Sequence, residues 1–319
     1  MEGIFLGFDT SNYTTSFAAV DGEGRLIFDL RKILPVPEGE VGLRQRDVVF
    51  LHLRHLKEMV QEGFNRISRD QVRGIGVSVK PRPLPESYMP SFLAGEVIAS
   101  TLSLALDVPL VKTTHQEGHL VAALWSLKKD FPRFLAIHFS GGTSEILEVE
   151  KEPQGYKVKV LGKSLDISAG QLVDRIGVLL GLPFPSGKFL EELAQKAVGI
   201  LKVPATFVNG NWHFSGAEAY LKRKLKDFPA FEIARAVEEV IARTLFKIIQ
   251  YHAKDNLPVV LMGGVAANNY IKNFLLEKLK KRRVAVDLYF AEVQYASDNA
   301  VGVAEISRIS RIFKISEEY

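Results

Sequence analysis

The chain has 319 residues, 47% of them hydrophobic and 24% charged, which is typical of a globular protein with room for two domains. It contains no cysteine, and this excludes disulfides, thiolate metal sites and cysteine nucleophiles. The formal net charge is +4, and basic residues form two runs, Lys222 to Lys226 and Lys278 to Arg283, which are either solvated helix faces or sites for a polyanion. No apolar run approaches the roughly 20 residues of a membrane span, and no cleavable leader is recognisable, so we expect a cytoplasmic protein.

The N-terminal segment is predicted to form a β-hairpin. Residues 4–8 and 16–20 are apolar strands, and the turn between them carries several hydroxyl side chains and one carboxylate, Asp9. Such a turn either directs donors at a phosphate or satisfies only its own backbone. The pattern recurs at residues 134–149, where a glycine-hydroxyl turn, Ser140 to Ser144, joins two strands. This recurrence in a chain long enough for two domains favours a duplication.

The segments between these hairpins and the C-terminus are predicted to alternate helices with buried strands. Apolar periodicity indicates helices over residues 54–67, 91–106, 168–180, 189–197, 231–252 and 270–279. The polar and aromatic stretch 208–216 reads as a lid or a domain edge. A third glycine turn, Gly263-Gly264, follows the apolar strand 258–262 and precedes a helix, which is how an α/β fold presents a nucleotide or anion site.

Two histidines, His115 and His119, stand four residues apart at the start of a predicted helix. At that spacing both imidazoles project from one helix face and can share a metal ion. The zincin pattern has Glu directly after its first histidine, but Gln116 holds that position and Glu117 follows, so the zincin pattern is excluded. From this stretch alone, an amphipathic helix that carries two histidines on one face remains an equal alternative.

The whole set of turns resembles the actin-like ATPase, sugar kinase and Hsp70 superfamily, and within it the TsaD family of tRNA threonylcarbamoyladenosine synthesis proteins, formerly Gcp or glycoprotease. The resemblance covers nearly the whole chain. Its sharpest matches, in the family's order, are His115-Gln116-Glu117-Gly118-His119, Ser140-Gly141-Gly142-Thr143, Ala169-Gly170 with Asp174, Leu179 to Leu182 with Pro185-Ser186-Gly187, Phe214-Ser215-Gly216, Gly263 to Asn268, and Ser297-Asp298-Asn299.

The resemblance implies a fold and a division into domains. The fold class is α/β, a two-domain actin-like ATPase fold of the ribonuclease H-like type, with the ligand cleft between the domains. We expect an N-terminal subdomain over residues 1–111, joined by a C-terminal helix at about 299–319. A second subdomain, over residues 112–298, would carry the metal and adenylate site.

The resemblance also assigns roles to individual residues. It places His115, His119 and Asp298 around one divalent metal, iron or zinc, although Asp298 considered alone reads as a helix N-cap. It implies adenylate-binding positions at His138, Phe139, Ser140, Gly141, Gly142, Asp174, Gly187 and Asn268. The implied reaction transfers threonylcarbamoyl from its adenylate to N6 of an adenine in tRNA. The acceptor amine needs a base, for which the candidates are Asp9 and Glu117.

The chain departs from the family pattern where the acceptor should bind. Asn12, Tyr13 and Thr14 replace acidic residues in the first turn, and Arg46 replaces a carboxylate of a Pro-Glu-Leu-Ala-Ser-Arg motif. Residues 80–86 replace a Gly-Pro-Gly stretch. The alternatives left open are a paralogue that binds metal and nucleotide but acts as a non-catalytic partner or regulator, a metallopeptidase, and a small-molecule kinase. TsaB-like and TsaE-like proteins are the implied partners, and a homodimer or heterodimer stays open.

Overall fold

The computed structural model describes residues 3–11, 13–37, 39–40, 42–84, 86–152, 155–199, 201–253 and 256–316. The prediction for Asn12 therefore lies outside the described residues. Among those described, no helix combines the length and the apolar character that crossing a bilayer requires.

The first of two five-stranded sheets contains β1 (Ile4–Asp9), β2 (Thr14–Asp21), β3 (Leu26–Ile33), β4 (Val72–Lys80) and β5 (Leu110–Thr114) in the order β3-β2-β1-β4-β5. The first three strands pair antiparallel, and β4 and β5 join them parallel. The predicted hairpin is present as β1 and β2. The fifth strand continues through Thr114, beyond the subdomain boundary expected at residue 111.

The second sheet repeats this topology. It contains β6 (Arg133–Phe139), β7 (Ser144–Glu152), β8 (Gly155–Lys163), β11 (Val259–Met262) and β12 (Leu288–Phe290) in the order β12-β11-β6-β7-β8. Here too an antiparallel three-stranded unit is extended by two parallel strands. The small hairpin of β9 (Thr206–Val208) and β10 (Asn211–His213) occupies the stretch that was expected to be a lid or domain edge.

Helices cover both faces of each sheet. The helices are α1 (Gln45–Phe64), α2 (Phe92–Leu106), α3 (His115–Leu127), α4 (Ala169–Leu179), α5 (Gly187–Ala194), α6 (Ser215–Lys224), α7 (Ala230–His252), α8 (Asn269–Arg282), α9 (Val293–Ala296) and α10 (Val301–Ser316). Helix α1 begins at Gln45, well before the predicted residue 54. The prediction began too late because His52, which is buried, interrupts the apolar periodicity of the inner face.

Two helices, α10 and α3, lie between the sheets. The alternation of β1 decides which side α10 takes: Leu6 and Phe8 face α1 and α2, whereas Phe5 packs against Ala300 and Ala304. Helix α3 in turn packs Leu120 and Leu124 against the second sheet. The layers therefore run from sheet to α10 to α3 to sheet, and this order brings the start of α3 between the two domains.

Candidate metal centre and nucleotide site

The sequence fixes the start of α3 through a capping box. The Thr114 hydroxyl accepts from the Glu117 backbone N–H at 3.2 Å, and Glu117 Oε2 accepts from the Thr114 backbone N–H at 2.9 Å. The same carboxylate oxygen accepts from the Thr113 and Thr114 hydroxyls at 2.9 and 2.8 Å. These bonds hold the first turn in place, and His115 and His119 lie on its inward face. The catalytic role predicted for Glu117 stays a prediction, since these contacts support a helix-capping role.

The two histidines and Asp298 form a compact cluster. The Nε2 atoms of His115 and His119 are 3.1 Å apart, and Asp298 Oδ1 lies 3.6 and 3.3 Å from them. A tetrahedral metal with ligands at about 2.0–2.1 Å has ligand atoms roughly 3.3 Å apart, so these three atoms fit one divalent ion. Among the described residues, these side chains are the ones whose donor atoms converge in this way. Asp298 is 28% exposed, which leaves a side open for a further ligand.

Asp9, at the end of β1, orients the first histidine. Its Oδ2 lies 3.0 Å from His115 Nδ1, and its Oδ1 accepts from the Ser11 backbone N–H at 2.9 Å. A carboxylate on the distal nitrogen of a metal-binding histidine fixes the ring and its tautomer. Burial opposes ionisation of Asp9, but the His115 charge and hydrogen bonds outweigh it and hold the pKa below its usual range. A carboxylate that stays ionised is a weak general base, so the contacts support positioning, and the catalytic role predicted for Asp9 stays a prediction.

The two cluster histidines differ in protonation. Burial lowers the pKa of His115, but the Asp9 charge and hydrogen bond and the Asp298 charge raise it more, to about 9. Burial and the neighbouring His115 charge lower the pKa of His119, although Asp298 opposes them. The raised pKa of His115 favours its charged form, and a metal ion bound at Nε2 would displace that proton.

The loop that carries Asp298 is organised by its neighbour, Asn299. The Asn299 amide donates to the carbonyls of Tyr295 and Ser297 at 3.1 and 2.8 Å, and its oxygen accepts from Val301 N–H at 3.0 Å. Asn299 thus makes the capping bond at α10, which the sequence had offered to Asp298 as an alternative role. The Asp298 carboxylate does not cap the helix and instead lies beside the two histidines.

A third imidazole, His138 at the end of β6, lies against the cluster. Its ring centroid is 4.7 Å from that of His119, and it is 1% exposed. Burial, together with the charges of the two cluster histidines and of Arg82, lowers its pKa far below the usual value. Neither ring nitrogen has a hydrogen-bond partner among the described residues, and a buried polar group in this condition is costly unless a ligand or water pairs with it.

The glycine turn after β6 is anchored to α4 on one side and open on the other. Ser168, the N-cap of α4, donates from its hydroxyl to the Gly141 carbonyl at 2.6 Å, and Gly170 N–H donates to the Ser140 carbonyl at 3.2 Å. A Cβ at Gly170 would lie 2.5 Å from Ser140 O, so only glycine allows this close approach. Gly141 and Gly142 themselves face open space and are exposed, as a phosphate-binding turn requires. Phe139, the last residue of the strand, is fully buried in the core and supports the turn.

The remaining predicted nucleotide-binding residues lie on the helices behind this turn. Gly187 opens α5 and has no heavy atom within 4 Å of where its Cβ would be. Asp174 on α4 reaches the same place, because its Oδ1 accepts from Ser186 N–H at 2.8 Å. Asn268 caps α8 by accepting from Ile271 N–H at 2.9 Å and donates to Glu238 at 2.6 Å, so its amide group is already bound to protein. The binding roles of these residues stay predictions.

The pKa of Asp174 gives this region a testable pH dependence. Burial raises the pKa from 3.8 to about 6, partly offset by the bond from Ser186. Between these two values the unfolded chain releases a proton that the folded protein keeps, so the free energy of unfolding falls as pH rises. In an Asp174→Asn variant the free energy of unfolding should not show this fall. The difference in stability between the variant and wild type should therefore grow in favour of the variant from about pH 4 to about pH 7. Urea midpoints measured across this range test it, and a constant difference between the two proteins would contradict the raised pKa.

Sequence reasoning missed one contact that joins the two domains. Arg82 Nη1, in the loop after β4, lies 2.9 Å from Glu145 Oε1 on β7, and Gln116 Nε2 on α3 donates to Glu145 Oε2 at 3.0 Å. Glu145 is the register partner of His138 in the β6–β7 ladder, so both side chains share one face of the sheet. That register was readable from the hairpin, but the arrival of Arg82 from the other domain was not.

The residues that depart from the family pattern are placed as follows. The Arg46 side chain is 76% exposed, and its Nε lies 3.4 Å from Oδ1 of Asp47, its neighbour on the first turn of α1. Tyr13 contacts Phe184 edge to face, with ring centroids 5.0 Å apart, and so joins the first hairpin to the loop before α5.

Solved structures share this fold over almost the whole chain. HypF from T. kodakarensis has a TM-score of 0.64 at 14% identity, and the alignment covers 99% of this chain and 48% of HypF. The activator of 2-hydroxyisocaproyl-CoA dehydratase from Clostridium difficile, solved with bound ADPNP, has a TM-score of 0.58 at 12% identity and covers 100% of this chain and 97% of its own. The expected actin-like ATPase fold is confirmed.

Sequence comparison identifies the family. The protein-family model described as "TsaD: tRNA N6-adenosine threonylcarbamoyltransferase" matches residues 47–305. The tRNA N6-adenosine threonylcarbamoyltransferase of Thermosipho melanesiensis is 31% identical over 316 residues, which span 94% of this chain and 93% of the relative. That of Carboxydothermus hydrogenoformans is 28% identical, over 95% and 91% of the two chains. The chain therefore belongs to the TsaD family, as the resemblance of its motifs predicted.

Proposed function

We propose that the protein transfers a threonylcarbamoyl group from its adenylate to N6 of an adenine in tRNA, with one divalent metal ion in the cleft. The observation that carries this proposal is the cluster of His115, His119 and Asp298 at tetrahedral spacing, beside an open glycine turn. Family membership indicates the class of reaction. The cluster offers the ligand atoms that a metal ion taking part in this reaction would need. We expect the reaction in the cytoplasm, where tRNA is present.

The metal would be held by the two Nε2 atoms and the Asp298 carboxylate, and iron(II) and zinc both suit two imidazoles with one carboxylate. When bound there, it would act as a Lewis acid on carbonyl or phosphate oxygens. The chain's own residues bind and orient the donor. The backbone N–H groups of the Gly141-Gly142 turn would hold the phosphate, and ionised Asp174 would accept from ribose hydroxyls at neutral pH.

The basic runs noted in the sequence are consistent with a tRNA substrate. One ends α6 and the other ends α8, where cations also favour the helix dipole. Two cations of the first run are engaged by neighbouring carboxylates, Lys222 by Glu218 and Lys224 by Asp227. The run at the end of α8 is therefore the better candidate for phosphate contacts.

The test is a reconstituted reaction that contains ATP, threonine, bicarbonate, the adenylate-forming enzyme, TsaB-like and TsaE-like partners, and tRNA. We expect wild type to modify tRNA and Asp298→Ala to fall to background, as nucleoside analysis of digested tRNA would show. The Thermosipho melanesiensis relative, in a parallel reaction, is the positive control. Absence of modification by wild type alongside an active relative would contradict the transferase.

A non-catalytic paralogue is the second candidate, and one contact favours it. Tyr13 occupies a turn position where the family carries an acid, and its ring packs on Phe184 across the cleft. This candidate predicts that adenine nucleotide stabilises the fold without any transfer to tRNA. A ligand at 100 times its dissociation constant should add about 2.7 kcal/mol to the free energy of unfolding.

A further inference from the structure

The Arg82 side chain is the starting point, because most of its hydrogen-bonding capacity is unused. A guanidinium carries five N–H donors. Among the described residues, its single side-chain contact is the one between Nη1 and Glu145 Oε1 at 2.9 Å. The side chain is 32% exposed, whereas Glu145 is 3% exposed. As far as the described residues show, the remaining donors of this cation are available to a ligand that enters the cleft.

The loop around Arg82 is held in a defined conformation. Arg82 N–H donates to the Ser87 hydroxyl at 3.1 Å, and the preceding carbonyl, of Pro81, accepts from Gln116 N–H on α3 at 3.1 Å. Lys80 Nζ donates to the Leu84 carbonyl at 3.2 Å within the same loop. Gln116 follows the first cluster histidine directly, so the loop is fastened to the helix turn that carries the metal ligands.

Glu145 sets the direction in which the guanidinium points. Its two carboxylate oxygens are shared between Arg82 and Gln116, so a single buried carboxylate joins the loop, α3 and β7. Its register partner on β6 is His138, whose ring contacts His119. Arg82 thus pairs with the residue that lies opposite His138 in the β6–β7 ladder.

The proposed substrate threonylcarbamoyl-adenylate has two anionic groups, and the glycine turn would bind only one of them. The Gly141-Gly142 turn suits the adenylate phosphate, which leaves the free carboxylate of the threonine moiety without a partner. Burying a carboxylate without a cation is costly, and guanidinium geometry matches a carboxylate through two parallel hydrogen bonds. Arg82 offers that geometry beside Glu145, the register partner of His138.

We propose that Arg82 is a specificity-determining residue that binds the carboxylate of the transferred acyl group. The proposal rests on the proposed function, since that function defines the donor. It makes Glu145 a positioning residue, which aims the guanidinium into the cleft while the other N–H groups bind substrate.

The experiment measures binding instead of turnover. The probes are a non-hydrolysable sulfamate analogue of threonylcarbamoyl-adenylate and its counterpart with the threonine carboxylate converted to a primary amide, titrated calorimetrically into the full-length protein, with AMP as reference. Wild type should prefer the carboxylate probe by about tenfold or more, the size expected for hydrogen bonds to a charged group. Arg82→Gln should abolish this preference and leave AMP affinity unchanged. Lys112→Gln is the matched control and should keep the preference, because this cation pairs with Glu96 at 2.7 Å and makes none of the contacts that hold the Arg82 loop.

A second variant separates substrate binding from a merely structural bridge between the domains. Glu145→Gln removes the competing negative charge but retains an acceptor for Arg82, so it should strengthen the preference for the carboxylate probe. A structural bridge would instead lose affinity for both probes equally in Arg82→Gln and in Glu145→Gln, and that result would overturn the proposal. If Arg82→Gln kept the preference for the carboxylate probe, the assignment of Arg82 would also be overturned. The proposed transfer reaction would not be affected by that result, because the tRNA assay tests it separately. Failure of wild type to bind either probe, with AMP still bound, would contradict the proposed function and the Arg82 assignment together.

Discussion

A His119→Ala variant is expected to purify without bound metal, whereas the wild type should carry about one iron or zinc ion per chain. The imidazole supplies an Nε2 atom 3.1 Å from that of His115 and 3.3 Å from Asp298 Oδ1. Its removal leaves one histidine and one carboxylate, which is too few protein ligands for a stable site. Elemental analysis of protein purified without chelators, with metal content given per chain, measures the effect.

The matched control is His213→Ala. His213 also lies beside a carboxylate, with Nδ1 3.4 Å from Asp166 Oδ2, but it belongs to the hairpin before α6 and lies outside the cluster. This variant should retain the wild-type metal content. A wild-type protein free of iron and zinc, even after incubation with either ion, would contradict the metal site. Equal loss in both variants would show that the change reflects damage to the fold.

A Gly302→Ala variant is expected to be strongly destabilised. The new Cβ would lie 1.9 Å from Gly118 O and 2.7 Å from Ala122 N, both of them backbone atoms of α3. Because backbone cannot move aside as a flexible side chain would, α10 and α3 must separate. Overpacking of this kind costs typically 1–3 kcal/mol and occasionally more, so we expect about 3 kcal/mol or more here. A shift of the urea midpoint tests the expectation.

The control for this variant is Gly216→Ala on α6, where no heavy atom lies within 4 Å of the added carbon. Alanine favours helix over glycine by roughly 0.8–1.0 kcal/mol in a helix interior, so this substitution should be neutral or slightly stabilising near the helix start. The Gly302 variant should also bind metal more weakly, since α3 carries both histidines and α10 follows Asp298. A Gly302→Ala protein as stable as wild type would contradict the close approach of the two helices.

The sequence determined those parts of the protein that depend on local pattern. The four-residue spacing of His115 and His119 places both side chains on one helix face wherever the helix lies, and the capping box fixes its start. Glycine-hydroxyl turns after apolar strands likewise predicted the two hairpins that begin each sheet. The repeated strand pattern favoured a duplication, and the actin-like ATPase fold was predicted from the family resemblance of the motifs.

The tertiary structure decided how distant segments meet. Asp298 reads as a helix cap in sequence, but Asn299 makes that bond, and the packing of α10 on α3 turns Asp298 to the histidines. Asp9 reads as a catalytic candidate, but its contacts are those of a positioning residue for His115. Residues 80–86 stand out in the sequence as a departure from the family pattern, but the pairing of Arg82 with Glu145 could not be predicted, because Glu145 belongs to the other domain. The physical reason is common to all three: a side chain's role depends on which partners reach it in space, and packing between layers, unlike helix or turn formation, is not encoded by neighbours in the chain.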